Sequence, residues 1–290
     1  MRSISLFTMR LKLSSASLYG ILDLGYVPAG DAVPMARRML AGGVGILQLR
    51  AKSESVDTIR KLARLLAPLC HDSGVPLILN DHPQLVAETG ADGVHVGQDD
   101  LPVAEVRRIV GPDAIVGLST HSLAQALSAS RGEPATSAGV LPRAPAGGMG
   151  ILPMRGFPNT APVPPSAAKL PAFDGTPAAS ECGQDPRPPA SGRARPDYIG
   201  FGPLFATPTK PNYVPIGLGD VAEVFRRVEI PAFCIGGIKL ENLPEVVAAG
   251  ARRAVIVSGI LQSPDPAGYC AKCAEILPPS PAHRFSTPPP

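Results

Sequence analysis

The sequence predicts an α/β fold of the (β/α)8 class, in which parallel strands alternate with helices and close into a barrel. Short apolar runs of strand length alternate with longer amphipathic stretches along most of the chain. Eight such strand–helix pairs occur, which is the number that closes a parallel sheet into a TIM barrel. The strands are apolar almost throughout, as expected of a sheet that is buried on both faces.

The first half of the chain shows the alternation most clearly. Strands are predicted at residues 18–24 and 45–50, separated by a helix at 32–40 that ends at Gly42-Gly43. A second helix, residues 56–71, places apolar side chains on one face, namely Ile59, Leu62, Ala63, Leu66 and Leu69. These spacings predict helices that cover the outside of the sheet.

Residues 76–100 form the clearest strand–helix–strand unit. The strand at 77–79 ends in Asn80-Asp81, a short helix stops at Gly90, and the strand at 93–97 runs into Gln98-Asp99-Asp100. Because a parallel crossover needs about a dozen residues or more, this unit predicts neighbouring parallel strands. Asp81 and Asp100 are therefore expected at the same edge of the sheet.

The remaining elements repeat the pattern. Later strands are predicted at residues 114–118, 198–201, 232–235 and 254–257, and later helices at 103–110, 123–130, 221–228, 243–249 and 267–277. An open doubly wound sheet is the alternative. No GxGxxG follows the first strand, so its dinucleotide-binding form has no support.

The predicted domain organisation is one catalytic barrel with an interruption. The barrel comprises residues 17–131 and 196–277, residues 1–16 form a loose arm, and residues 278–290 a disordered tail. Residues 132–195 are rich in Pro, Ala, Gly and Ser without a lasting apolar period, which predicts a disordered insertion. It falls between the fifth helix and the sixth strand, on the side of the barrel opposite the usual active-site rim.

Composition excludes several classes of function. A net charge of +3 without a basic, aromatic-rich patch gives no support for binding nucleic acid or membranes. The apolar runs are shorter than the roughly 18 residues of a membrane helix. Arg10 and Lys12 interrupt the start of the chain where a signal peptide is apolar, so a cytoplasmic protein is predicted. The lone CxxC, Cys270 to Cys273, lacks the second pair of a zinc site.

The predicted strand ends carry residues suited to phosphorylated ligands. Asp81 and Asp100 suit Mg²⁺, although both could instead cap helices. Gln48, Arg50 and Lys52 alternate at the end of the second strand, as a site for a polyanion would require. Ser119, after the fifth strand, either donates to phosphate or caps the next helix. His95 and His121 are interpreted as structural.

A phosphate site is predicted after the last two strands. Gly236 and Gly237 follow the seventh strand, and Ser258 and Gly259 the eighth, where barrels commonly bind phosphate through backbone N–H groups. The loop at residues 202–210 ends in Lys210 and is long enough to cover a ligand. Together the strand ends predict two small phosphorylated ligands, one of them a diphosphate bound through metal.

Seven segments in register resemble the thiamine-phosphate synthase family: QLRAK, LILND, GVHVGQDD, GLSTHS, DYIGFGPLFATPTK, FCIGGI and VIVSG. The resemblance implies a barrel that joins a hydroxymethylpyrimidine diphosphate to a thiazole phosphate and releases pyrophosphate. It implies a pyrimidine diphosphate site made of Gln48, Arg50, Lys52, Asn80, Ser119 and Lys210. It implies a thiazole phosphate site made of Thr207, Thr209, Gly237, Val257 and Ser258. Mg²⁺ would be held by Asp81 and Asp100.

The resemblance also implies a dissociative mechanism that needs no protein nucleophile. Ala51 and Asp99 stand where the family pattern leads us to expect glutamate. Two alternatives stay open: a thiazole tautomerase on the same barrel, and an inactive barrel that only binds thiazole phosphate. The synthase is favoured over the tautomerase because the residues expected for a diphosphate site are intact, namely QLRAK, Asp81, Asp100 and Lys210.

Overall fold

A computed structural model describes residues 12–133, 195–207 and 214–279 of the protein. Eight parallel strands form one closed barrel in which each strand pairs with the next along the chain and the last pairs with the first. The strands are β1 Leu18–Asp23, β2 Ile46–Arg50, β3 Leu77–Asn80, β4 Gly93–Val96, β5 Ile115–Thr120, β6 Tyr198–Phe201, β7 Ala232–Cys234 and β8 Ala254–Ile256. The predicted fold class is confirmed.

Helices follow the strands as predicted. They are α1 Ala32–Ala41, α2 Val56–Asp72, α3 Val86–Thr89, α4 Val103–Val110, α5 Leu123–Ser130, α6 Val221–Arg227, α7 Leu243–Ala248, α8 Ser258–Leu261 and α9 Pro266–Ile276. The Ser55 hydroxyl caps α2 by accepting from the Thr58 amide at 3.1 Å. Two short 3-10 turns, Ala29–Asp31 and Pro83–Leu85, precede α1 and α3.

Two apolar layers explain why the strands are buried on both faces. The larger layer lies between strands and helices and includes Leu47, Leu79, Val94 and Val116. The smaller layer fills the barrel interior with alternate residues of the strands, namely Tyr19, Ile21, Ile46, Ile78, Ile115, Tyr198, Phe233 and Val255. Successive side chains of a strand point to opposite faces of the sheet, so each strand contributes side chains to both layers.

Two parts of the fold differ from the prediction. Residues 12–15 form a helical turn, and Leu13 and Ala16 are buried against the interior layer, so this part of the arm predicted at residues 1–16 is packed rather than loose. Arg253 tethers this turn by donating from Nη2 to the Ser14 carbonyl at 2.9 Å. The short helix α8 was not predicted, because a four-residue helix has no full apolar period.

Several predictions fall on parts of the chain for which no structure is described. Residues 134–194 of the predicted insertion and residues 280–290 of the predicted tail lie outside the described residues, as do Thr209 and Lys210. Within the described part of the chain, every helix is too short or too polar to cross a membrane.

Candidate active site at the carboxyl ends of the strands

A pocket opens where the strands end at their carboxyl termini. It encloses about 930 Å³, counting solvent at its mouth. Residues from all eight strands or the loops that follow them line it. The predicted site residues among them are Gln48, Arg50, Asn80, Ser119, Thr207, Gly237, Val257 and Ser258. Barrel closure thus brings residues predicted for both ligands into one cavity.

Arg50 is held in place by a buried acid. Its Nη1 pairs with Oδ2 of Asp23, the last residue of the neighbouring strand β1, and Asp23 Oδ1 accepts from the Gly25 amide at 3.0 Å. The two side chains are 15% and 3% exposed. Asp23 therefore orients a cation toward the pocket, a role that sequence patterns did not reveal.

Lys52 and Asp81 pair with each other at the carboxyl-end rim of the barrel, just past β2 and β3, and neither is among the residues that line the pocket. Lys52 Nζ lies 3.1 Å from Asp81 Oδ2, with side chains 55% and 26% exposed. Asp81 has a φ of 65°. Every other described residue with a positive φ is a glycine. Such backbone strain costs of order 1–3 kcal/mol and clusters at functional sites.

Asp100 follows the next strand along the barrel, β4, and it lines a second cavity beside α4 rather than this pocket. Its Oδ2 accepts from the Gly97 amide at 2.6 Å, which folds the loop after β4 back on itself. The Asp81 amide donates to the His95 carbonyl of β4 at 3.0 Å, so both acids adjoin the end of that strand. Neither acid caps a helix as the alternative interpretation required: His82 and Pro102 hold the cap positions of the elements that follow.

Glycines shape the opposite side of the pocket. Gly236 and Gly237 have φ of 97° and 67°, values that favour glycine. A Cβ on Gly237 would lie 2.6 Å from Phe205 Cβ and 2.7 Å from the Ala206 carbonyl oxygen. Asn242 supports this turn, because its Nδ2 donates to the Gly237 carbonyl at 3.0 Å. The β7 loop is thereby packed against the loop that carries Thr207.

Sequence reasoning missed four side chains of the pocket wall. His95, His121, Tyr19 and Tyr198 all line it. His95 Nε2 lies 3.0 Å from Ser119 Oγ, and His121 Nδ1 bonds to the Gly202 carbonyl. A signal was present in β4, because a polar residue between Val94 and Val96 must point into the barrel when both valines face the helices.

Known proteins of similar sequence and fold carry related names. A thiamine-phosphate synthase of Shouchella clausii is 33% identical over 86% of this chain and 90% of that protein. A thiamine-phosphate synthase of Halalkalibacterium halodurans is 30% identical over 90% of this chain and 94% of that protein. A thiamine phosphate pyrophosphorylase structure from Pyrococcus furiosus covers 92% of this chain and 96% of its own, with TM-score 0.63 and 22% identity, which is a likeness of fold.

Fold and pocket together define a (β/α)8 barrel with a candidate ligand pocket at the carboxyl ends of its strands. The family model for thiamine monophosphate synthase matches residues 18–140 and 188–260, more than half of the chain. The chain therefore belongs to the thiamine monophosphate synthase family. The activity that this membership assigns is that of a thiamine-phosphate synthase, a transferase.

Proposed function

We propose that the protein joins 4-amino-2-methyl-5-(diphosphooxymethyl)pyrimidine to 4-methyl-5-(2-phosphooxyethyl)thiazole, giving thiamine phosphate and pyrophosphate. The observation that carries this proposal is that one pocket has two unlike sides. Gln48, Arg50 and Ser119 come from the strands of one side, and Gly237 and Ser258 follow strands of the other. Two phosphorylated ligands can bind there with their reacting ends close together.

The pyrimidine diphosphate would lie along the cationic side. Arg50, oriented by Asp23, and Lys52 at the rim would face the diphosphate, with Gln48 and Asn80 toward the ring. Lys210 is assigned to the same diphosphate, but its place in the structure lies outside the described residues. Cations here oppose the negative charge that grows on the departing pyrophosphate, and removing such a group typically costs about 10²–10³ in rate.

Asp81 and Asp100 would be the residues that hold Mg²⁺. Within the described ranges, no three His, Cys, Asp or Glu side chains are grouped closely enough to hold a metal between them. The protein would thus supply two carboxylates, leaving water and substrate phosphate to complete the shell, as Mg²⁺ commonly requires. The positive φ of Asp81 is compatible with a functional role, since such strained backbone clusters at functional sites. Bound Mg²⁺ would neutralise charge on the diphosphate.

The walls of the pocket suit a reaction through a pyrimidine methylene cation. Its apolar lining includes Ile21, Phe233, Ile235 and Val255. With both ligands bound, these side chains would help to keep out water, which would otherwise compete with the thiazole nitrogen for the cation. Holding both ligands in place supplies much of the remaining rate.

No protein nucleophile is needed in this reaction. The cysteine thiols of the described chain fit that view, because burial raises the pKa of Cys70, Cys234, Cys270 and Cys273 to about 12. At neutral pH these thiols stay protonated and are poor nucleophiles.

A turnover assay tests the proposal. The purified full chain, given both substrates and Mg²⁺, should release thiamine phosphate and pyrophosphate in equal amounts, and a chelator should stop it. An isomerase on the same barrel would instead convert the thiazole phosphate alone. A folded sample that binds thiazole phosphate but forms no product would favour the binding-only alternative. The cytoplasmic location stays a prediction.

Gly237→Ala is expected to weaken binding of the thiazole phosphate. The added methyl group meets Phe205 and Ala206 at 2.6 and 2.7 Å, and alanine disfavours a φ of 67°. Overpacking of this kind costs about 1–3 kcal/mol, and if that strain falls on the loop that binds the thiazole phosphate, KM for this substrate should rise about 5- to 150-fold. Steady-state kinetics check this, with KM for the pyrimidine substrate as the internal control. Gly217→Ala, also at positive φ but with open space around it, is the matched variant.

Deleting residues 135–194 is expected to leave turnover largely unchanged. The family match is interrupted at residues 141–187, and Arg195 Nη1 lies 3.2 Å from the Ser130 carbonyl, so a short linker can join the flanking segments. Closing a shorter loop costs less entropy. Comparing kcat and KM of the deletion variant with those of the full chain checks this. A large loss in a folded variant would show that the segment contributes to the site.

A further inference from the structure

A chain of hydrogen bonds crosses the barrel within the wall of the pocket. Gln48 Nε2 donates to the Tyr19 hydroxyl at 2.8 Å, and the hydroxyls of Tyr19 and Tyr198 lie 2.9 Å apart. The Tyr198 hydroxyl lies 3.1 Å from His95 Nδ1, and His95 Nε2 lies 3.0 Å from Ser119 Oγ. The chain begins and ends at residues assigned to the pyrimidine diphosphate. Its three middle members have no assigned role.

The two tyrosines in the chain are fixed and uncharged. Tyr19 is 2% exposed and Tyr198 0%, and burial raises the pKa of both phenols well above its ordinary value. Their rings pack edge to face on one another and on Phe233, with centroids 5.5–5.8 Å apart. Each phenol therefore keeps its proton, and each can donate one hydrogen bond while accepting another.

One direction of donation satisfies every member of the chain. The Gln48 amide nitrogen can only donate, so the Tyr19 oxygen accepts from it. The Tyr19 hydroxyl then donates its own hydrogen bond to the Tyr198 oxygen. Tyr198 then donates to His95 Nδ1, which leaves the imidazole proton on Nε2 to be donated to Ser119. Ser119 Oγ accepts from the ring, and its own proton can be donated into the pocket.

We propose that Tyr198 and His95 are positioning residues that direct the hydroxyl proton of Ser119 toward a phosphate oxygen of the bound pyrimidine substrate. The proposal rests on the proposed function in taking Ser119 as a diphosphate ligand. A phosphate oxygen is an acceptor, so Ser119 is useful to it only as a donor. With the opposite tautomer of His95, Ser119 would donate to the ring and present a lone pair to an anion.

The first test is the protonation of His95. In the full chain labelled with ¹⁵N-histidine, and with the signal assigned by its loss in His95→Asn, we expect Nε2 to carry the proton and Nδ1 to be bare. Tyr198→Phe removes the hydroxyl that selects this tautomer but keeps the ring, so the signals should shift toward a mixture. A His95 protonated on Nδ1 in the wild-type chain would overturn the proposal.

The second test is a double-mutant cycle on binding of inorganic pyrophosphate with Mg²⁺, measured by calorimetry. Tyr198→Phe should weaken binding about tenfold, as expected for one hydrogen bond to a charged group. In the Ser119→Ala background the same substitution should have little further effect, because the positioned group is gone. Equal losses in both backgrounds, at unchanged thermal midpoint, would mean that Tyr198 acts independently of Ser119 and would refute the proposal.

These readouts separate this inference from the proposed function. A wild-type chain that makes no thiamine phosphate defeats the proposed function, whereas the tautomer and the pyrophosphate cycle are measured without turnover. Unchanged pyrophosphate affinity in Tyr198→Phe, in a chain that does turn over, defeats the positioning role alone.

Discussion

Replacing Asp81 by Asn is expected to lower kcat by about 10²–10³-fold, the loss that typically follows removal of one group that stabilises charge in the transition state. Asn keeps an oxygen at this position but loses the negative charge that Mg²⁺ prefers. It also tolerates the left-handed backbone of Asp81, φ 65°, so strain does not account for the loss. Kinetics across a range of Mg²⁺ concentrations check this, and a higher concentration should be needed for half-maximal rate.

Asp99→Asn is the matched control for Asp81→Asn. Asp99 is exposed, lies one residue before Asp100 and undergoes the same change of charge without an assigned ligand role. Its kcat and its dependence on Mg²⁺ should stay those of the wild-type chain. Equal losses in both variants would mean that general negative charge near the rim matters, and an unaffected Asp81→Asn would remove the metal assignment.

Arg50→Ala is expected to lower the free energy of unfolding by about 3 kcal/mol, because it leaves the buried Asp23 carboxylate without its cation. The loss should lie at the lower end of the usual range, because Arg50 lines the pocket and its removal would let pocket water reach the Asp23 carboxylate. The same change removes a cation assigned to the diphosphate, so kcat/KM for the pyrimidine substrate should fall by about 10²-fold or more. Urea unfolding and steady-state kinetics measure the two effects.

Arg226→Ala is the control for Arg50→Ala, because it removes the same charge from an ion pair that is exposed instead of buried. Arg226 pairs with Glu223 at 2.6 Å on the surface of α6, with side chains 68% and 41% exposed. Exposed pairs contribute about 0–1 kcal/mol, so this variant should unfold nearly as the wild-type chain does and keep its activity. If both substitutions lower the free energy of unfolding by a similar amount, the Asp23–Arg50 pair contributes no more to stability than a surface pair.

Local patterns predicted the elements that position the site. The strand ends at Arg50, Leu79 and Leu118 were predicted because apolar runs stop there and polar residues follow. The boundaries differ by one or two residues, as for β5, which extends to Thr120. Residues 12–16 were misassigned because their burial depends on the open end of the barrel, which no local pattern represents.

The amino-acid sequence alone determined the barrel and the strand ends that carry its chemistry, because periodicity and chain breaks are properties of neighbouring residues. Only the tertiary structure decided which side chains meet. Tyr19 and Tyr198 share a hydrogen bond across 179 residues, and Tyr198 and His95 across 103. Such pairs form when closure of the sheet turns alternate residues of distant strands into one narrow interior, where each buried polar group must find a partner.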